Sequence, residues 1–187
     1  MPMSEHIEGS SLGRLRHDRA DLTALLGAFC FFLSAIEYMV PKPLPFMRLG
    51  IANLPILLAV DILPLPWFIV LALVKVVGMS VISGSLFSYV ALFSLAGTLV
   101  AALVMWGARR LGGKLISAVG VSVLGAVASN AVQIFIAKYV VFGEAARLIA
   151  PLFLVMGLVT GTVLGLFVER FAATSVWYAR ITGRSDV

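Results

Sequence analysis

Charge is what this chain has least of. Only 12% of its 187 residues are charged, against about 25% in an ordinary soluble domain. With 61% hydrophobic residues and a mean hydropathy of +1.07, that shortage excludes a soluble globular domain. Short alternating strands are missing as well, which excludes a β-barrel. A single cysteine, Cys30, allows no internal disulfide, and inside an apolar run it reads as a small buried hydrophobe. The two histidines, His6 and His17, lie in the N-terminal stretch, and no Cys/His set has metal-ligand spacing. Asp18, Asp21, Asp61 and Asp186 are scattered, so no aspartate cluster can hold Mg²⁺ against a diphosphate. A Gly-x-x-x-x-Gly-Lys-Ser/Thr loop is absent, as are nucleophile–base pairs. The chain is therefore not expected to be a self-sufficient enzyme, and it calls for no cofactor or metal.

What is present is a succession of apolar runs, several near the roughly 20 residues needed to cross a bilayer. The expected fold is an all-α polytopic membrane protein with six helices, over residues 22–40, 49–63, 66–80, 85–109, 115–141 and 148–171. Pro64 and Pro66 cannot both lie inside one continuous helix, which separates the second helix from the third. Whether that pair spans or re-enters is left open by the sequence. Residues 1–20 read as a flexible N-terminal tail, 21–172 as the transmembrane domain, and 173–187 as a C-terminal tail.

The net charge of +5 sits at segment ends, where it sets topology and does not point to nucleic acid. Arg14, Arg16, Arg19, Arg170, Arg180 and Arg184 lie in or beside the tails, and Arg109, Arg110 and Lys114 share one loop. The positive-inside rule then puts both termini in the cytoplasm.

The stretch from Glu37 to Asn53 concentrates what a lipid-facing chain avoids. Glu37 is ionisable, Pro41, Pro43 and Pro45 stiffen the connection, and Arg48 and Asn53 open the next apolar segment. Placed by depth at 1.5 Å per residue, Glu37, Arg48, Asn53, Lys75, Asn130 and Gln133 all fall in the outer half of the bundle. Asp61 is the exception, near the cytoplasmic end. On the fifth helix, Ser122, Ala126, Ser129, Asn130, Gln133 and Ala137 project to one side at 100° per residue. Ionisable groups in a helix centre usually face a cavity or a partner. The expected site is therefore an outward-facing pocket in which Arg48, Asn53, Lys75, Asn130 and Gln133 contact a small-molecule ligand. Glu37 and the prolines would orient the lid above it. Glu37 against Arg48 and Lys75 leaves a slight cationic excess, which suits a ligand with an anionic or acceptor part. The competing reading is that Glu37 merely pairs with Arg48, while Asn130 and Gln133 bind neighbouring helices.

Small residues recur at four-residue spacing twice, as Gly157, Gly161 and Gly165 and as Ala20, Ala24 and Ala28. Such spacing lets helices approach closely in lipid. The glycines suit internal packing; the alanines suit either that or docking of another membrane subunit.

These residues together resemble the Gx transporter family, also named heptaprenyl diphosphate synthase component I. The match covers about Leu22 to Leu166. It rests on Glu37 with its prolines, Arg48-Leu-Gly-Ile-Ala-Asn53, Gly84-Ser-Leu-Phe-Ser88, Gly120-Val-Ser122, Gly125-Ala126, Asn130 with Gln133, and Thr160-Gly161. Two positions depart from the pattern: Ser129 where histidine is expected, and Lys75 where arginine is usual. The resemblance implies a bundle like the S components of energy-coupling factor (ECF) transporters, in a bacterial cytoplasmic membrane. It implies a site open to the outside, a lid formed by the first loop, and energy from separate ATPase and transmembrane T subunits. The alanine stripe on the first helix looks like the face S components present to the T subunit. The family's other name implies a rival role, as an accessory subunit in making a polyprenyl diphosphate; a structural subunit of a membrane complex is a third.

Overall fold

The computed structural model describes residues 3–41 and 50–182, with side chains from residue 18 onward except that of Lys114. Helix α1 spans Met3–Met39. A 3₁₀ turn at Ile51–Asn53 leads into α2, Leu54–Ala59, followed by α3, Leu65–Ile82, and α4, Tyr89–Gly112. After a second 3₁₀ turn at Gly113–Leu115, α5 runs over Ala118–Ile136 and continues as a π-helical turn, Ala137–Phe142. Helix α6 covers Ala146–Thr174, and a short α7 covers Val176–Thr182. Among the described residues there is no strand.

Among the described residues, four stretches are long and apolar enough to cross a membrane: Asp18–Met39, Leu65–Ile82, Tyr89–Gly112 and Ala118–Thr174. The last, at 57 residues, is a hairpin of α5 and α6 that reverses at Gly143, whose φ of 56° is open to glycine. Large apolar side chains such as Phe32, Val77, Leu103, Val155 and Val163 point outward from these helices. A soluble monomer rarely exposes so much contiguous apolar surface. Here lipid covers it, and this is a polytopic membrane protein.

Helix α2 corrects the expected second helix over 49–63. With its preceding 3₁₀ turn it reaches about 15 Å, half the roughly 30 Å of a hydrocarbon core. As a helix it is too short to span by itself. All six residues of α2 are buried, because α1, α3, α5 and α6 surround it. Pro55 lies in its first turn, where a missing N–H costs nothing. Helix α2 stops where Ile62 and Leu63 N–H both turn back onto Ala59 O. Pro64, extended at ψ 158°, then caps α3, with Pro66 in its first turn. The proline pair thus breaks the chain as its chemistry requires.

Other boundaries also shift. The stretch read as a tail through residue 20 is helical from Met3, since no proline separates it from the apolar run. Gly84 to Ser88 precedes the fourth helix and does not begin it. Ser83 and Ser85 join side chain to side chain at 2.6 Å, and Ser88 Oγ caps the helix by accepting from Val90 N at 3.2 Å. The expected C-terminal tail contains α7. Tyr178, 1% exposed, folds back under the bundle and donates to Asp61 Oδ2 at 3.2 Å.

Helices α5 and α6 pack against each other along much of their length, and Gly157, Gly161 and Gly165 of α6 are all buried. A Cβ built on Gly165 would lie 2.4 Å from the Val119 backbone Cα. On Gly125 its nearest neighbours would be atoms of the Met105 side chain, the first being Cγ at 2.5 Å. Backbone cannot yield as a flexible thioether can. Gly165→Ala is therefore expected to destabilise by about 1–3 kcal/mol, and Gly125→Ala clearly less. Thermal unfolding of the two detergent-solubilised variants checks the difference.

Candidate functional site

A cavity of about 50 Å³ lies between α1, the start of α2, α3, α4, α5 and α6. That is several times the roughly 10–15 Å³ one ordered water needs. Five residues expected to converge do so: Glu37, Asn53, Lys75, Asn130 and Gln133 all line it. Arg48, Pro43 and Pro45 lie outside the described residues, and Pro41 is exposed just beyond α1.

Glu37 closes α1 and is 1% exposed. Its carboxylate accepts from Gly50 N at 3.3 Å and from Ala52 N at 3.1 Å. These are donors at the start of the 3₁₀ turn, where no intrahelical acceptor exists. A carboxylate there also meets the positive end of the backbone dipoles. Glu37 therefore anchors the far end of the first loop to α1. Gly50 takes φ 85°, a left-handed conformation that lets the chain turn into α2.

Lys75, 4% exposed on α3, donates from Nζ to Asn53 Oδ1 and to Thr98 Oγ1, each at 2.9 Å. One ammonium thereby joins α3 to the start of α2 and to α4. The hydrogen bonds are charge-assisted and the stronger for it.

On α5 the amides divide their loyalties. Asn130 Nδ2 donates to Phe153 O of α6, the helix-to-helix bond expected of a packing residue. Its amide lies where a Cβ on Gly157 would sit, 2.1 Å from Nδ2. Gln133 Nε2 donates to Ser129 Oγ one turn back, at 3.0 Å. This pair rests on Gly97 of α4, where a Cβ would lie 2.6 Å from Gln133 Nε2 and 2.7 Å from Ser129 Oγ. Both amides also line the cavity, so the packing and site readings are compatible geometrically.

The sequence reading missed the α4 wall. Ser94 and Thr98 are buried there and line the cavity with Met105. Their signal was present: Ser94, Gly97, Thr98, Ala101 and Met105 recur at helical spacing within an apolar run. The projection that singled out the fifth helix would have found them on the fourth.

Asp61 stands apart, as its depth implied. Arg109 Nε lies 2.8 Å from Asp61 Oδ1 without the alignment of a hydrogen bond, so the contact is an ion pair. Arg109 Nη1 donates to Ile116 O at 2.7 Å. With Tyr178, this cluster fixes the far end of α2 to α4 and α7. The two alanines Ala24 and Ala28 are exposed on α1, and Ala20 is half-buried. That face is not used for packing within this bundle. Among the described residues no group of three or more His, Cys, Asp or Glu side chains could hold a metal ion.

Removing the Glu37 carboxylate leaves two backbone donors without their acceptor. Each such loss costs about 1–3 kcal/mol when buried. Glu37→Ala is expected to lower the melting temperature more than Glu37→Gln, whose amide oxygen can still accept, and a thermal melt of both variants decides it.

The comparisons with known proteins fit this architecture. No curated protein and no solved structure matches the chain significantly. A family model, heptaprenyl diphosphate synthase component I, matches residues 26–171, from within α1 to within α6. The matched span takes in every cavity-lining residue, and the chain belongs to the heptaprenyl diphosphate synthase component I family.

Proposed function

We propose that the protein is the membrane-embedded, substrate-binding subunit of a small-molecule uptake transporter, energised by separate ATPase subunits. The observation that carries this is the cavity itself. A lipid-surrounded bundle has every energetic reason to fill its centre with apolar side chains, since each ionisable group there is unfavourable by about 2.5–3.5 kcal/mol. This bundle instead gathers Glu37, Asn53, Lys75, Thr98, Asn130 and Gln133 around a space. Discontinuous helices with polar ends are also how membrane proteins build solute sites, and α2 is one. Lys75, Asn53, Asn130 and Gln133 hold the solute in this reading, together with Arg48 from the first loop. Glu37 positions the loop. The site opens to the outside and both termini are cytoplasmic. The exposed Ala24 and Ala28 face of α1 receives the transmembrane T subunit.

The family's name supports a second reading, an accessory membrane subunit of polyprenyl diphosphate synthesis. A helper of that kind needs no magnesium-binding aspartates of its own.

Three measurements separate these readings. Native mass spectrometry of gently purified protein is expected to show a co-purified small molecule. Lys75→Ala and Arg48→Ala should each weaken its retention about tenfold or more while the protein still inserts in the membrane. Unchanged retention in both would sink the site. Ala24→Trp is expected to abolish co-purification with a T subunit and ATPase pair; retained association argues against the docking face. Chain elongation from isopentenyl and allylic diphosphates with Mg²⁺, by this protein alone, would overturn the transporter reading.

A further inference from the structure

Among the connections between the long helices, the one from α3 to α4 has no charge. From residue 76 to residue 108 the sequence carries no Asp, Glu, Lys, Arg or His, its longest uncharged stretch. The connections after α2, α4 and α5 carry Asp61, Lys114 and Glu144. The α5–α6 turn makes the sharpest contrast, because two crossings separate it from the α3–α4 turn and both emerge on the same face of the membrane. There Glu144 pairs with Arg147 at 2.8 Å and with Lys138 at 3.5 Å, as suits a turn in water.

The α3–α4 turn is built differently. Ser88 N donates to Ser85 O at 3.0 Å, closing a four-residue turn with Leu86 and Phe87 at its tip. Ser88 Oγ donates to the same carbonyl at 2.9 Å, and Ser85 N reaches back to Ser80 O of α3 at 2.9 Å. Ser83 Oγ donates to Met79 O at 2.8 Å and stands 2.6 Å from Ser85 Oγ, which ties the turn to α3 a second time. Turn tips in water favour Gly, Pro, Asn, Asp and Ser, each for a backbone reason. Leu and Phe have none. Yet Phe87 is 100% exposed and Leu86 44%.

Depth supplies the missing reason. Arg109, paired with Asp61, marks one polar boundary of the bundle. From Arg109 back to Tyr89, α4 rises about 30 Å, the thickness of a hydrocarbon core. The turn before Tyr89 therefore emerges at the opposite edge of that core, in the headgroup layer. Val81 and Leu92, at the adjoining ends of α3 and α4, are exposed too, so the tip continues the apolar surface that lipid covers. Tyr89, also exposed, is the residue type that gathers at this level. We propose that the 85–88 turn is a lipid anchor: Leu86 and Phe87 insert at the headgroup–acyl boundary of the nearer leaflet and fix the depth of the α3–α4 hairpin. Insertion removes their apolar surface from water. The turn's own hydrogen bonds permit it, since polar groups carried below the headgroups must find partners inside the protein. The anchored hairpin is the one that Lys75 and Thr98 join, so the depth set at the tip also sets that of the α3–α4 wall of the cavity, whatever the cavity holds.

The test uses the full chain in lipid nanodiscs, with Cys30→Ala removing the one native thiol. A nitroxide spin label is attached at Phe87→Cys. Val77→Cys, outward-facing within α3, gives the reference for lipid, and Glu144→Cys, in the charged turn, the reference for water. Collision with oxygen, which concentrates in lipid, is measured against collision with a neutral nickel chelate, which stays in water. The oxygen-to-nickel ratio at 87 is expected several-fold above that at 144. A ratio equal to that at 144 puts the tip in water and overturns the proposal. Low collision with both reagents means that protein covers the tip, which overturns it in favour of a protein contact. Leu86→Cys, labelled and read in the same way, decides the question should Phe87→Cys fail to fold.

Discussion

A lysine ammonium within a lipid-surrounded bundle must be given acceptors, and the centre of this structure is arranged around that requirement. Lys75 finds them in Asn53 and Thr98, which belong to two different elements. The ammonium thereby fixes where the polar start of α2 sits against α3 and α4. Glu37 holds the same turn from α1, through backbone donors that would otherwise be buried without acceptors. Removing either group would leave polar atoms stranded where water cannot replace the lost partner. The polar centre is thus self-consistent, and it is also what keeps a cavity open among helices that could otherwise close on apolar contacts.

Helix α2 follows from the same constraint. A six-residue helix leaves most of its terminal amides and carbonyls without intrahelical partners, and lipid cannot satisfy them, so it survives only inside protein. Here α1, α3, α5 and α6 enclose it, and polar anchors hold both of its ends. Asn53 and Glu37 act at the cavity, while Asp61 with Arg109 and Tyr178 acts at the opposite end. One buried element therefore connects the cavity to the loop after α4 and to the C-terminal helix. On the proposed reading, α1 links site and partner in a second way, because it carries Glu37 on its inner face and Ala24 and Ala28 on its outer one.

The remainder of the bundle is closed by surface shape. Gly157, Gly161 and Gly165 let α6 lie against α5 closely enough that added methyl groups would strike Asn130, Ala126, Val123 and Val119. In lipid, where apolar side chains gain little by leaving the solvent, such contact is a main source of helix association. Gly97 does the equivalent for α4 and α5, with a consequence for the site: it admits the amide of Gln133 to the cavity wall. Packing and site are built from the same residues here, which is why Asn130 both joins two helices and lines the space between them.

The sequence alone determined the membrane class, the long helices and the convergence of Glu37, Asn53, Lys75, Asn130 and Gln133. Those rest on apolar run length, on the chemistry of proline and on depth along a helix, which are local or one-dimensional quantities. The prolines also marked the break after α2, though not how little helix lay before it. That was decided by tertiary structure, since a short helix is stable in a membrane only where others surround it. Only the fold could show that Glu37 is satisfied by the backbone of Gly50 and Ala52, or that Asp61 meets Tyr178 from 117 residues away. The hydroxyls of Ser94 and Thr98 lie between these cases. Their spacing was legible along the fourth helix, but hydroxyls there are commonly satisfied by their own backbone. That Thr98 answers Lys75 while Ser94 answers nothing is a fact of packing in three dimensions.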